Sequence, residues 1–168
     1  TRQDPDDFVP ALQASCAAAG VVVMFVPELP KSRASGATRW VTPDKALIQL
    51  SLRYRTNDHL WFTFFHEAAH ILLHSQQKKS VFLDDPSKAV SSSKEEKEAN
   101  AWARDFLISP SDAATLAEIP KTKAALSSVA QSIGVHPGIV VGRMQHDGLL
   151  DVRWLNDLKV SFAFTAKS

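Results

Sequence analysis

The pattern of apolar and polar positions predicts one helix, a short group of strands and then further helices. The first helix is expected from Asp6 or Asp7 to about Ala19, because Gly20 is typical of a helix end. The next residues, 21–26, are apolar and mostly β-branched, which favours a buried strand. A helix followed by strands is thus expected in the first third of the chain.

A hairpin is predicted over residues 37–52. Apolar and polar residues alternate in part on both sides of Pro43, Asp44 and Lys45, which favour a turn. The order of elements predicts an α+β domain in which a small antiparallel sheet packs on a helical core, with a helical subdomain after it. We expect one domain with three parts, at 1–56, 57–109 and 110–168.

The segment around residues 60–73 is apolar nearly all round, which is typical of a helix that crosses a core. His66, Glu67 and His70 lie inside it. A buried charged side chain costs several kcal/mol unless it has a partner. These three residues are therefore expected to bind something. Solvated positions or a single core histidine are the alternatives.

His66 and His70 are four residues apart, about 40° around a helix, so both imidazoles can face one metal ion. With Glu67 they form an HExxH motif, His66-Glu67-Ala68-Ala69-His70. A zinc ion held by two imidazoles and a third ligand keeps a position open for water, and Glu67 is placed to take the proton of that water. The motif predicts a hydrolase.

His74 continues the four-residue spacing, but it lies about 12 Å along the axis from His66, too far to share one ion unless the helix breaks. No glycine stands between His70 and His74 to break it. His74 is therefore expected at the end of the helix. It lies there either beside a metal ligand or in solvent.

A later helix offers a carboxylate as the third ligand. Residues 94–107 carry an apolar stripe at helical spacing. Glu96 and Asn100 share a face, so Glu96 can reach the metal while Asn100 hydrogen-bonds a ligand. Glu95 and Glu98 are expected to favour the start of the helix, and Glu98 to point elsewhere.

These blocks, with Phe106-Leu107-Ile108-Ser109-Pro110 after them, resemble the ImmA/IrrE family of zinc metallopeptidases from about residue 20 to residue 160. The resemblance implies His66, His70 and Glu96 as zinc ligands and Glu67 as the catalytic base of a gluzincin-like enzyme. It also implies a zincin-like helical core and a protein substrate, typically a helix-turn-helix repressor.

Two segments, at 37–52 and 75–93, each allow two interpretations of their role. In zinc peptidases an edge strand beside the metal holds an extended peptide, and the hairpin at 37–52 is expected either to do so or to be an ordinary covered edge. The polar connection at 75–93 is either a flap over the site or a loop without function.

The last third predicts two helices, around residues 124–133 and 137–146, with helix-turn-helix spacing. The second helix is apolar, with only Arg143 to contact phosphate, so we expect it to pack and not to bind nucleic acid. Arg143 or His146 could stabilise an oxyanion, or both could be surface residues.

Composition adds few constraints on function. The 168 residues are 45% hydrophobic with a formal net charge of +1, which gives no global attraction to nucleic acid or membranes. No transmembrane run or signal peptide is expected. The single cysteine, Cys16, favours the cytoplasm over secretion.

The function predicted is that of a cytoplasmic zinc-dependent endopeptidase acting on a repressor. The alternative is a non-proteolytic regulatory or sensing domain of a DNA-binding transcription regulator or antitoxin. A site that is intact but binds no metal is a third possibility.

Overall fold

The computed structural model describes residues 1–27, 34–51, 53–74, 81–83 and 93–162, the strand at 81–83 by its backbone only. The first part contains α1 (Pro5–Ala18), β1 (Val21–Val26), β2 (Gly36–Thr42) and β3 (Lys45–Ser51). The middle contains α2 (Asn57–Leu73), β4 (Val81–Leu83) and α3 (Lys94–Leu107). The last part contains α4 (Pro110–Thr115), α5 (Lys123–Ile133) and α6 (Pro137–His146), with 3-10 turns at Leu116–Glu118 and Asn156–Leu158.

The sheet has the strand order β1-β3-β2-β4. The α+β class is confirmed, but the expectation of an antiparallel sheet was wrong, because β1 runs parallel to β3. The cause lies at Gly20, whose φ is +76°. A Cβ there would lie 2.8 Å from the carbonyl oxygen of Asp44. Since the chain leaves α1 beside the start of β3, β1 begins at the same end of the sheet as β3.

The predicted hairpin is confirmed, with β2 and β3 antiparallel and joined through Pro43 and Asp44. Of the two alternatives for this hairpin, a peptide-binding edge or an ordinary covered edge, the pairing favours a covered edge at residues 37–39. β3 pairs with β1 on one side, and β2 pairs with β4 at residues 37–39. β4 therefore covers the outer edge of β2 at residues 37–39. The rest of the connection at 75–92 and residue Leu52 lie outside the described residues, so the flap stays a prediction.

α2 crosses the core as predicted, in contact with β2, β3, α3 and α6. Most of its residues before the last turn are buried, whereas Leu72 and Leu73 in the last turn are 62% and 45% exposed. Phe8, Phe64 and Met144 belong to one hydrophobic core cluster, although they come from the three predicted parts of the chain. The division into those parts stays a prediction.

α5 and α6 form the predicted helix pair, separated at Gly134, whose φ is +80°. The expectation that the second helix packs is confirmed, since Val140, Val141 and Met144 are fully buried. Gly138 lets α6 approach α2, because a Cβ there would lie 2.5 Å from Oδ1 of Asn57.

Among the described residues no single helix has both the length and the apolar character of a membrane span. α5 and α6 reach that composition only together, and they are bent by 106° at their break.

Candidate metal centre

α2 and α3 bring three potential metal ligands together. His66 and His70 lie on one face of α2, and Glu96 comes from the first turn of α3. Ser93 fixes the start of α3, because its hydroxyl accepts a hydrogen bond from the Glu96 backbone N–H at 3.2 Å. This cap fixes the backbone at Glu96, and the Glu96 side chain contacts His66 and His70.

The donor atoms of this cluster converge on one point. The Nε2 atoms of His66 and His70 are 3.0 Å apart, and the Glu96 carboxylate oxygens lie 3.2 Å and 3.3 Å from them. Ligand atoms on a tetrahedral zinc ion are about 3.3 to 3.4 Å apart, given zinc–ligand bonds of about 2.0 to 2.1 Å. All three side chains are buried, so the donor set fits a zinc ion.

Asn100 orients His66 from the other helix. Its Oδ1 lies 3.0 Å from Nδ1 of His66, and an amide oxygen only accepts hydrogen bonds. The proton of the His66 ring therefore sits on Nδ1, which leaves the Nε2 lone pair for a metal ion. The contact is the one that the shared face of Glu96 and Asn100 predicts.

His74 and Glu98 orient His70 in the same way. His74 Nε2 lies 3.2 Å from the Glu98 carboxylate, so this nitrogen carries the ring proton and donates it to Glu98. Nδ1 of His74 then accepts from Nδ1 of His70 at 3.1 Å. His70 is thereby left with its Nε2 lone pair toward the cluster. Glu98 is not part of that cluster, in line with the expectation that it points elsewhere.

Burial and the neighbouring side chains determine the protonation states of Glu96 and His70. Burial raises the pKa of Glu96, but its close contacts with the His66 and His70 rings outweigh that effect and lower the pKa to about 2. Burial lowers the pKa of His70, against the opposing effect of Glu96. An anionic carboxylate and a neutral imidazole at neutral pH are the forms that bind metal ions.

Glu67 follows His66 directly in α2, about 100° further around the helix, and packs against β2. It is fully buried, and its backbone carbonyl accepts a hydrogen bond from Oγ1 of Thr38 at 3.2 Å. A Cβ on Gly36 would lie 2.5 Å from Oε1 of Glu67 and 2.7 Å from Cγ2 of Thr63. Only glycine leaves room for the Glu67 side chain there.

Arg143 and His146 are not brought into the cluster. Nε of Arg143 donates to Asp147 at 2.6 Å, and its Nη1 reaches the backbone carbonyl of Ile108 at 3.5 Å. Nδ1 of His146 lies 3.1 Å from Asp147, and the ring is largely exposed. These contacts give no support to an oxyanion role for either residue.

The model of the IrrE N-terminal-like domain, a peptidase family, matches residues 16–145, well over half of the chain. The chain belongs to this family. The comparison with curated proteins gave no match. The resemblance seen in the sequence is confirmed, and membership in the IrrE-like peptidase family implies a protein substrate. A buried site that could hold a metal ion agrees with a metal-dependent peptidase.

Sequence reasoning missed two parts of the IrrE-like site. The contact of Gly36 with Glu67 joins residues far apart in the chain. The only signal for it was a glycine directly before the hairpin predicted at 37–52, since a glycine can mark the close approach of another group. The hydrogen bond between His74 and Glu98 was also missed, because the periodicity of α3 places Glu98 on a different face from Glu96. Only the packing of α2 on α3 brings Glu98 next to His74.

Proposed function

We propose that this chain is a zinc-dependent endopeptidase of the gluzincin type, with His66, His70 and Glu96 as metal ligands and Glu67 as general base. The observation that carries the proposal is the buried convergence of two imidazole nitrogens and one carboxylate in a chain of a peptidase family. Two imidazoles and a glutamate are also the protein ligands of known catalytic zinc sites.

A zinc ion bound by these residues would supply Lewis acidity and lower the pKa of water toward 7. The chain's own groups handle the protons. Glu67 accepts a proton from the attacking water and later donates it to the amine that leaves the cleaved amide. Asn100 and His74 hold the two imidazoles in the tautomer that leaves their Nε2 atoms as acceptors.

We further propose a helix-turn-helix repressor as the substrate, and the cytoplasm as the place of reaction. Support for the substrate is the resemblance to the ImmA/IrrE metallopeptidases. Support for the cytoplasm is the single cysteine, Cys16, which is free. The experiment is incubation of the zinc-loaded protein with repressor proteins encoded next to it, with and without a chelator, followed by mass spectrometry. Cleavage at one site that the chelator abolishes is expected.

Glu67→Gln tests the general base. This variant should keep a zinc content close to that of the parent, because Glu67 is not a ligand, and lose at least about 100-fold in cleavage rate. Glu118→Gln, the same change at an exposed residue outside the site, should cleave like the parent. Cleavage by Glu67→Gln at the parent rate would refute the assignment.

The binding alternative gives a different result in the same assay. A regulatory or sensing domain would retain the repressor on a column without cutting it, whether Glu67 is present or replaced. Retention without cleavage by the zinc-loaded parent would therefore contradict the proposed enzyme and favour the regulator.

A further inference from the structure

A cavity of about 430 Å³ lies between α2, α3 and α6. One face of α3 runs along it, because its lining residues there recur at helical spacing: Lys97, Asn100, Ala101, Arg104, Leu107 and Ile108. From Lys97 to Leu107 this face is about 15 Å long. The volume falls within the range of ligand pockets, about 300 to 1,000 Å³, so the cavity can hold a small molecule.

This cavity is separate from the metal cluster. Among the described residues that line it are none of the three proposed ligands, nor the proposed base. Asp58, in its wall, precedes His66 by about 12 Å along the axis of α2. Phe62 and Asn100, which contact His66, lie in the lining as well. A molecule in the cavity can therefore bind without replacing a proposed metal ligand.

The lining contains an unused hydrogen-bond acceptor in Asp58, a residue that is only 8% exposed. Its Oδ2 pairs with Lys159 at 2.7 Å, whereas its Oδ1 is buried and has no hydrogen-bond partner within the described part of the chain. α6 packs closely on this carboxylate, since a Cβ on Gly142 would lie 2.5 Å from Oδ2. A buried acceptor without a donor is costly, so a ligand that supplies one N–H group gains affinity at Oδ1.

The charges of the lining leave one lysine available. Arg104 and Arg143 are each paired with an aspartate, at 2.8 Å and 2.6 Å. Lys97 is exposed and forms no ion pair with any residue that the structure describes. Because Lys159 already neutralises Asp58, a neutral N–H group fits Oδ1 better than a second cation does. The free ammonium of Lys97 in turn favours an anionic group.

We propose that this cavity binds a small organic acid whose neutral N–H group donates to Oδ1 of Asp58 and whose carboxylate or phosphate faces Lys97. The apolar body of the ligand packs against Phe62, Leu107 and Ile139, which come from three different helices. The site lies outside the metal centre, so it does not depend on the proposed peptidase activity.

Indole-3-propionate is a suitable probe, because it joins a ring N–H, an apolar ring and a carboxylate. It should bind with a dissociation constant of about 0.1 to 1 mM and shift the methyl resonances of Leu107 and Ile139 saturably. The affinity should be the same in zinc-loaded and chelator-treated protein. Absence of saturable shifts at these methyl groups would overturn the site. Binding only to the zinc-loaded protein would do so too, because it would place the carboxylate on the metal.

Three analogues test the two polar contacts without changing the protein. 1-Methylindole-3-propionate lacks the N–H and should bind about 10-fold more weakly or worse, since Oδ1 of Asp58 stays unpaired. Indole-3-propionamide lacks the charge and should lose only about 2- to 5-fold, because an exposed ion pair contributes little. Tryptamine, with an amine in place of the carboxylate, should bind most weakly. Equal affinity for the N-methyl compound, or tighter binding of tryptamine, would contradict the proposal.

Two variants with matched controls locate the probe. Ala101→Leu fills the cavity and should lower the affinity for indole-3-propionate at least about 10-fold, whereas Ala117→Leu, at an exposed residue outside the lining, should not. Lys97→Gln should abolish the preference for the propionate over the propionamide, and Lys45→Gln, at another exposed lysine, should retain it. Parent affinity in a folded Ala101→Leu protein, or an unchanged preference in Lys97→Gln, would contradict the site.

Discussion

Each imidazole of the proposed metal site has a hydrogen-bond partner at Nδ1, the ring nitrogen that points away from the cluster. His66 donates to Asn100, and His70 donates to His74, which in turn donates to Glu98. Both arrangements fix the ring orientation and leave Nε2 without a proton. Outer partners of this kind contribute about 10- to 100-fold to metal affinity.

His74→Ala should therefore weaken zinc binding about 10-fold, because His70 loses its acceptor. His74→Asn keeps an acceptor oxygen near the position of Nδ1 and should recover most of the affinity. Leu73→Ala, a truncation at the exposed neighbour, should bind zinc like the parent. Zinc dissociation constants from competition with a chromophoric chelator provide the measurement. Parent affinity in His74→Ala would show that this partner does not orient the ligand.

The ligand residues could be predicted from the sequence because their spacing is local. His66 and His70 share a helix face, and Glu96 and Asn100 share another, so periodicity alone places each pair. What brings the pairs together is the packing of α2 on α3, which no local pattern encodes. The partner of Arg143 and His146, Asp147, is local in the sequence, and only the contact of Arg143 with the Ile108 carbonyl depends on packing.

At the level of elements, the close approach of β2 to α2 shapes the site. Gly36 opens β2 and leaves room for Glu67, while Thr38 binds the Glu67 carbonyl two residues further along. β2 thus packs directly against the proposed base, Glu67. The parallel pairing of β1 with β3 could not be predicted from the hydrophobic pattern, because it depends on the contact of Gly20 with Asp44 across the chain.

Gly36→Ala should lower the cleavage rate by displacing the Glu67 carboxylate, and should cost about 1 to 3 kcal/mol in the free energy of unfolding. Gly148→Ala serves as the control. Its φ is +72° with no atom within 4 Å of an added Cβ, so it should cost about 1 kcal/mol without changing the rate. Urea unfolding and cleavage assays on both variants provide the measurement. Equal rates in the two would contradict this role of the strand.

At the level of the whole molecule, the C-terminal segment fixes the start of α2. Lys159 pairs with Asp58 at 2.7 Å, and the backbone N–H of Asn57 donates to the carbonyl of Val160 at 2.9 Å. The helix that carries the proposed ligands is thus held at one end by residues about 100 positions later. Sequence reasoning gave no sign of this link, because neither Lys159 nor Asp58 belongs to a motif.

Lys159→Met should cost about 3 kcal/mol in the free energy of unfolding, because it leaves the buried Asp58 carboxylate without its cation. Lys123→Met removes an ammonium group from an exposed pair with Asp157, and its effect should be much smaller. Chemical denaturation of both variants under one buffer condition is the measurement. Equal losses would show that burial of the Asp58 pair does not matter to stability.

The proposed chemistry depends on one metal ion held by His66, His70 and Glu96. A crystal structure of the zinc-loaded protein, with anomalous data at the zinc absorption edge, tests it most directly. We expect one anomalous peak about 2.0 to 2.2 Å from Nε2 of both histidines and from a Glu96 oxygen. A peak at another site, or none at these three side chains, would contradict it.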